Sequence, residues 1–234
     1  MNTSLQIVMT VMLLSHCAFV SADSSVCYGS TSKGSVKHAV ALPKKGDNFI
    51  SYTVDLELSG RTFVHNVVKD IVIHSYKALA KSHPDKVFKY AETGLKNGGL
   101  FWPHKTHQNG LSVDFMVPVI NGNGQSVHLL TDASNRFGYD IEFDEKGEFD
   151  NLKIDLEALA AHLVELDKQA KAQGYALWRV IFDPKLQPLL LKTQQGDYIK
   201  NNIKLSTKQS WVRHDEHYHV DFDVPCKQLK RASR

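Results

Sequence analysis

Apolar positions that alternate or recur at helical spacing predict a chain of interspersed strands and helices. Residues 61–82 carry apolar side chains at helical spacing, and this pattern ends just before Pro84. A second amphipathic helix is predicted over residues 155–172. Alternation in "LSVDFMVPV" and "HYHVDFDV", together with the apolar run "YALWRVIF", predicts three strands. This order of elements indicates an α+β fold with a central antiparallel sheet flanked by helices.

Weaker patterns predict additional elements. "FISYTVDLEL", "SVHLLT" and "GYDIEF" favour strands, and "PKLQPLLLKT" favours a short helix. No repeat, low-complexity block or long linker interrupts residues 23–234, so we interpret them as a single domain. The composition, with 42% hydrophobic and 23% charged residues, is typical of a globular protein.

The first 22 residues differ from the rest of the chain. "MNTSLQIVMTVMLLSHCAFVSA" has no charged side chain, an apolar centre and a small-residue end at Val20-Ser21-Ala22, which is typical of a signal peptide. The apolar run is too short to span a membrane, so we expect no span in the mature protein. Cys17 raises the alternative of a lipoprotein signal, but His16 stands where a small residue would be expected. We therefore predict a periplasmic or secreted protein.

Two cysteines remain after this segment is removed, Cys27 and Cys226, near opposite ends of the chain. An even number of cysteines in an oxidising compartment predicts a disulfide that ties the two ends together. The alternative is two unrelated thiols, and secretion favours the bond.

The charge pattern argues against a nucleic-acid partner. The net charge is only +3, and the lysines are scattered rather than arranged in a stripe. The one basic cluster is the tail "KQLKRASR", which we interpret as a solvated terminus.

Five of the 12 histidines fall in two short segments, "HKTHQNGLSVDF" and "RHDEHYHVDF". On the first predicted strand Asp114 faces away from the apolar side chains, and on the second His217, His219 and Asp221 do so. If the two strands are neighbours, Asp114 can lie close to His219. His107 precedes the first strand and can fold back over the same point.

Two imidazoles and one carboxylate, from His107, His219 and Asp114, are a ligand set that suits Zn²⁺. Three protein ligands leave a fourth position for water, as in catalytic zinc sites, and zinc lowers the pKa of that water to about 7. His217 lies roughly 6–7 Å from His219 along a regular strand, which is too far to share the metal easily. It is placed instead to take a proton from the metal-bound water.

A single histidine is usually a surface residue, and we assign no function to the other histidines after the signal segment: His38, His65, His74, His83, His128 and His162.

These motifs resemble the zinc signature of the peptidase group that includes lysostaphin-type, D-Ala-D-Ala and hedgehog-type domains. "HQNGLSVD" has the form His-x-x-Gly-x-x-x-Asp, and "HYH" supplies the later His-x-His. The chain is most similar to the penicillin-insensitive murein endopeptidases, which share a histidine three residues before the first ligand and the spacing of "HDEHYHVDFDVPC". The resemblance covers most of the chain after the signal segment, at low overall identity.

The resemblance implies a zinc endopeptidase that hydrolyses D-alanyl-diaminopimelate cross-links of peptidoglycan through a metal-activated water. His107, Asp114 and His219 would bind zinc, and His104 would be an accessory histidine able to approach the metal or to bind a second one. His217 would be the general base, and His214 would assist with substrate or transition-state charge.

Two other functions stay open. One is a D,D- or L,D-carboxypeptidase that trims stem peptides, and such relatives use a glutamate base shortly before the His-x-His, where Asp215 and Glu216 stand here. Strict alternation points Glu216 away from His217, so His217 remains the predicted base. The other is a non-catalytic secreted module that binds zinc or the cell wall. Asp221 replaces the arginine-rich continuation of the family, and we expect it to orient a ligand histidine or to change substrate preference.

Overall fold

A five-stranded sheet lies at the centre of the computed structural model, which describes residues 23–53 and 58–229. The predicted signal peptide at residues 1–22 lies outside the described residues, as does the end of the basic tail. The strands are β1 (Val26–Ser30), β2 (Lys33–Lys37), β3 (Val40–Ala41), β4 (Phe49–Ser51), β5 (Phe63–Val64), β6 (Phe88–Tyr90), β7 (Ser112–Met116), β8 (Val119–Asn121), β9 (Ser126–Val127), β10 (Glu148–Phe149), β11 (Leu152–Ile154), β12 (Ala176–Ile181) and β13 (His217–Asp223). The helices are α1 (Asn66–Ser82), α2 (Leu156–Ala172), α3 (Gln187–Leu190) and α4 (Gly196–Asn202), with a 3₁₀ helix at Ala133–Gly138.

The central sheet has the strand order β12-β13-β7-β6-β4. The pairs β12–β13, β13–β7 and β7–β6 are antiparallel, whereas β4 pairs with β6 in parallel. The mixed α+β class is confirmed, and the predicted antiparallel central sheet is found with one parallel pair, β4–β6, at its edge. A second sheet, β10-β11-β8-β9, the hairpin β1-β2 and the two-stranded sheet β3-β5 complete the sheet structure of the described residues.

The two long helices pack on the apolar face of the central sheet. Phe115 in β7 and Tyr218 in β13 lie side by side on that face, with ring centroids 5.4 Å apart. The Phe115 ring also lies 4.8 Å from His162 in α2 and 6.4 Å from Tyr76 in α1. Because side chains alternate along a strand, the polar residues between these aromatics project to the opposite face.

Some predicted elements are shorter than expected or absent. Residues 138–143, predicted as a strand, form none. The N–H of Phe143 donates to the Asp215 carboxylate at 2.6 Å, and the N–H of Ile141 donates to the Gly138 carbonyl at 2.9 Å, so both donors are engaged in loop contacts. The helix predicted from residue 61 begins only at Asn66, because Phe63–Val64 pairs with β3 instead.

Two histidines that were expected to have no role are structural. The imidazole of His65 caps α1 by accepting a hydrogen bond from the N–H of Val67 at 3.3 Å. His162 is fully buried in the core rather than placed on the surface. The Ser75 hydroxyl donates to a backbone carbonyl, so Nε2–H of His162 donates to Ser75 and Nδ1 accepts from the Tyr218 hydroxyl. Burial among uncharged groups lowers the pKa of His162 to about 3.

The two ends of the described chain are joined. Cys27 in β1 and Cys226, just after β13, form a disulfide with Cα atoms 4.8 Å apart. Next to it, the N–H of Gly29 donates to the Lys227 carbonyl at 2.9 Å. Among the described residues, no helix has both the length and the apolar composition needed to cross a membrane.

Removal of the disulfide should lower the free energy of unfolding. The bond spans 199 residues of sequence, so its loss releases a long loop in the unfolded state and should cost about 2–4 kcal/mol. Denaturant unfolding of the Cys27→Ala/Cys226→Ala double variant measures this cost. Reduced wild-type protein is the control that keeps both side chains, and equal stability of the oxidised and reduced wild type would contradict the prediction.

The buried imidazole of His162 should make stability fall in mild acid. The unfolded chain binds a proton at this residue below about pH 6.5, whereas the folded chain does not until about pH 3. Protonation of the unfolded chain at this residue therefore does not lower the free energy of unfolding above about pH 6.5. The free energy of unfolding should fall by about 2 kcal/mol between about pH 8 and about pH 5. Urea unfolding of wild type and His162→Gln at both pH values tests this. An equally steep fall in the variant would show that His162 is not responsible.

Candidate metal centre

The register of two neighbouring strands brings Asp114 and His219 together. Asp114 in β7 lies directly opposite His219 in β13, and Nδ1 of His219 is 2.7 Å from Oδ1 of Asp114. Both side chains are buried. The contact lies on the face of the sheet opposite to Phe115 and Tyr218, as the alternation of each strand requires.

His107 approaches the same carboxylate from the loop before β7. Its backbone adopts φ 68°, a left-handed conformation that turns the chain back over the strand. Nδ1–H of His107 donates to the Thr93 carbonyl at 2.9 Å, so Nε2 carries the lone pair. Nε2 lies 3.2 Å from Oδ2 of Asp114, is fully buried and makes no hydrogen bond. A buried lone pair beside a carboxylate oxygen is an arrangement that a cation stabilises.

His219 lies between two carboxylates. Its Nε2 is 2.8 Å from Oδ1 of Asp221, while its Nδ1 faces Asp114. Burial alone would lower the pKa of His219, but the charges of Asp221 and Asp114 raise it to about 10. With Nε2–H donated to Asp221, the position between Nδ1 and Asp114 requires a positive charge, either a proton or a metal cation.

Asp221 is itself held in place by two side chains. The Ser112 hydroxyl donates to its Oδ1 at 2.6 Å, and Nε–H of Arg179 donates to its Oδ2 at 2.9 Å. Arg179 lies on the neighbouring strand β12, opposite Asp221. Asp221 therefore orients His219, as expected from the sequence, and its partner Arg179 was not anticipated.

His104 reaches Asp114 with one nitrogen and Glu92 with the other. Its Nδ1 is 3.8 Å from Oδ2 of Asp114, and its Nε2 is hydrogen-bonded to Glu92, which also forms an ion pair with Arg61. Within the described residues, His104, His107 and Asp114 form a group whose possible ligand atoms all lie within 4.8 Å of one another. His219 is not part of this group, and it contacts Oδ1 of Asp114, whereas both other histidines face Oδ2.

His217 and His214 lie beside this cluster. Their ring centroids are 4.4 Å apart, and His214 adopts φ 57° in the loop before β13. Nδ1–H of His214 donates to the Val212 carbonyl at 2.9 Å. Burial, followed by the charge of His217, lowers the pKa of His214 to about 4. A neutral His214 next to a charged His217 is therefore the favoured state of this pair.

The prediction that Glu216 points away from His217 is wrong. Oε1 of Glu216 accepts a hydrogen bond from Nδ1–H of His217 at 2.7 Å. Strict alternation does not apply because β13 begins only at His217. Burial alone would lower the pKa of His217, but the Glu216 charge raises it to about 9. Asp215 turns the other way, towards Arg213 at 3.2 Å and the N–H of Phe143 at 2.6 Å.

Sequence reasoning missed three residues that contact the predicted site: Glu92, Thr93 and Arg179. Arg179 left a signal, because it is the one charged residue in the apolar run "YALWRVIF". Glu92 and Thr93 left none, because their contacts with His104 and His107 depend on how the loop before β7 folds back.

The donor atoms fit a metal ion. They are imidazole nitrogens and carboxylate oxygens, the ligand types that zinc takes in proteins, and one of them is the unpartnered Nε2 of His107. His107 and His219 each donate the N–H of their other ring nitrogen to an oxygen, which is how metal-binding histidines are commonly oriented. The His104–His107–Asp114 group can thus hold a metal ion, with His219 on the other carboxylate oxygen.

Comparison with known proteins identifies a family. A family model described as penicillin-insensitive murein endopeptidase matches residues 27–232, nearly the whole chain. A search of curated proteins gives no significant match. The family match supports peptidase activity on peptidoglycan, and the disulfide fits a compartment outside the cytoplasm.

Proposed function

Because the chain belongs to the penicillin-insensitive murein endopeptidase family, we propose that it is a zinc-dependent endopeptidase that hydrolyses D-alanyl-diaminopimelate cross-links of peptidoglycan. The observation that carries this proposal is the buried Asp114 carboxylate, which is contacted by His107 on one oxygen and by His219 on the other. We place the activity in residues 23–234, in the periplasm or outside the cell, after removal of a signal peptide at residues 1–22.

His107, Asp114 and His219 are the zinc ligands of this proposal, and His104 is an accessory ligand. When bound, zinc polarises a carbonyl and lowers the pKa of a coordinated water to about 7. The protein would prepare the ligands beforehand. The Thr93 carbonyl fixes the tautomer of His107, and Asp221 fixes that of His219.

His217 is the general base of the proposal. Its Nδ1–H is held by Glu216, so Nε2 is the nitrogen left to exchange a proton. The positive charge of a zinc ion on the neighbouring ligands would disfavour the imidazolium form and leave Nε2 free to accept a proton. Glu216 acts through His217 rather than in its place, because its carboxylate is bonded to that ring. Asp215 is bound through Oδ2 to Arg213 and to the Phe143 backbone, and these contacts turn its carboxylate away from His217.

His214 would interact with charge that develops on the substrate. Its Nδ1–H is bound to the Val212 carbonyl, so Nε2 is the nitrogen left to face the substrate, and a proton received at Nε2 would let it stabilise negative charge there. Its ring lies against that of His217. A proton taken up by His217 can therefore be passed on or stabilised within this pair.

Digestion of purified sacculi tests the reaction itself. The protein without residues 1–22 should convert cross-linked muropeptide dimers into intact monomers, and a chelator should abolish this conversion because the reaction needs the metal. Mass spectrometry of the muropeptides measures both species. Shortened monomers with unchanged dimers would indicate a carboxypeptidase instead, and unchanged muropeptides would indicate a binding module.

Single substitutions should separate ligands from the base. Asp114→Ala and His219→Ala should each lower zinc affinity by at least about 100-fold, because a ligand is lost. His217→Ala should keep zinc and lower turnover by about 10²–10⁴-fold, because only proton transfer is lost. Zinc titration calorimetry and the muropeptide assay give the two readouts.

His74→Ala is the matched control, because this histidine is exposed on α1 and should change neither quantity. Retained zinc and activity in His219→Ala would overturn the ligand assignment. Loss of zinc in His217→Ala would make His217 a ligand rather than the base.

A further inference from the structure

Two cavities open from the metal centre and share no lining residue. A cavity of about 460 Å³ is lined by Tyr52, Trp102 and Tyr139 among others, and one of about 170 Å³ is lined by Lys105, Arg179 and Trp211 among others. A small central cavity shares Tyr52 and Tyr139 with the first, and Asp114, His104 and His217 with the second. The candidate ligands therefore lie between the two cavities, and a substrate that crosses the centre occupies both.

The larger cavity, which we call the aromatic cavity, has no free charge among its described lining residues. Its two charged lining residues, Arg61 and Glu92, are paired with each other. Arg61 also donates to the Trp102 carbonyl at 3.1 Å and stacks on the Phe101 ring at 3.8 Å. The remaining walls are mostly aromatic, so this cavity suits small apolar side chains and aliphatic chains.

The cavity of about 170 Å³, which we call the cationic cavity, has a free positive charge. Arg179 is neutralised by Asp221, with Nε and Oδ2 2.9 Å apart. Lys105 is exposed, and among the described residues it forms no ion pair; its ammonium lies 6.0 Å from the centre of the Trp211 ring. His214, also in this wall, has its pKa lowered by burial to about 4. Among the described residues that line this cavity, Lys105 is thus the cation without an ion-pair partner.

The two cavities match the two sides of the cross-link in the proposed function. On the acyl side of the scissile amide, D-alanine presents a methyl group. On the amine side, the carbon bonded to the scissile nitrogen carries a free carboxylate, which is part of diaminopimelate. An apolar group favours the aromatic cavity, and a carboxylate favours the cationic one.

We propose that Lys105 is a specificity-determining residue, which binds the carboxylate next to the scissile nitrogen in the cationic cavity. This inference rests on the proposed function and assigns the direction in which the substrate lies across the centre. The amine side occupies the cavity lined by Lys105 and Trp211, and the acyl side occupies the aromatic cavity.

The test compares two cross-linked muropeptide dimers, one with this carboxylate free and one with it converted to a primary amide. Wild type should cleave the free acid with about fivefold higher kcat/KM, as a partly exposed ion pair allows. Lys105→Met keeps an aliphatic chain against Trp211 and should remove the preference by slowing cleavage of the free acid alone. Added salt should weaken the wild-type preference in the same way.

Lys146→Met is the matched control, because this exposed lysine lies in the turn before β10, lines neither cavity and should keep the wild-type preference. If Lys105→Met cleaves both dimers with the wild-type ratio of kcat/KM values, the assignment of Lys105 is wrong. The proposed function would still stand in that case. Failure of wild type to cleave either dimer would contradict the proposed function and the subsite together.

Discussion

The burial of the Asp114 carboxylate is the constraint on which the rest of the site depends. A carboxylate in the middle of a sheet costs several kcal/mol unless charged or hydrogen-bonded partners compensate for its lost hydration. Burial alone would raise the pKa of Asp114, yet the contacts with His107 and His219 hold it well below its usual range. The ionised carboxylate therefore needs positive charge on both oxygens. A metal ion would supply positive charge to both oxygens through the same ligand atoms.

Residues around the candidate ligands determine which ring nitrogen of each histidine carries a proton. Asp221 is anchored by Ser112 and Arg179, so that Nε2–H of His219 is directed away from Asp114. Glu92 has the same effect on His104 from the other side. Each histidine is left with one nitrogen for the centre, which is the tautomer that a metal requires. These outer contacts join β12, β13 and two loops, so the site depends on the whole polar face rather than on the two motifs alone.

The sequence predicted the faces of β7 and β13 because alternation is a local property. It placed Asp114, His217 and His219 on the polar side, and the structure has all three there. What it could not predict depends on turns and long-range contacts: the parallel β4–β6 pair, the buried position of His162, and the hydrogen bond from His217 to Glu216. Alternation failed at Glu216 because the strand had not yet begun, and a pattern does not show where pairing starts.

The core and the site are built from the same two strands, and this couples their geometry. Phe115 and Tyr218 pack under the helices, while Asp114 and His219, next to them in sequence, form the centre on the other face. A shift of one residue in either strand would move a carboxylate or an imidazole into the aromatic core and an aromatic ring into the site. The free energy of core packing therefore selects the register that brings Asp114 opposite His219. The distance between Asp114 and His219 is therefore set by packing on the other face of the sheet. The buried polar side chains of the site are held in position for binding and proton transfer.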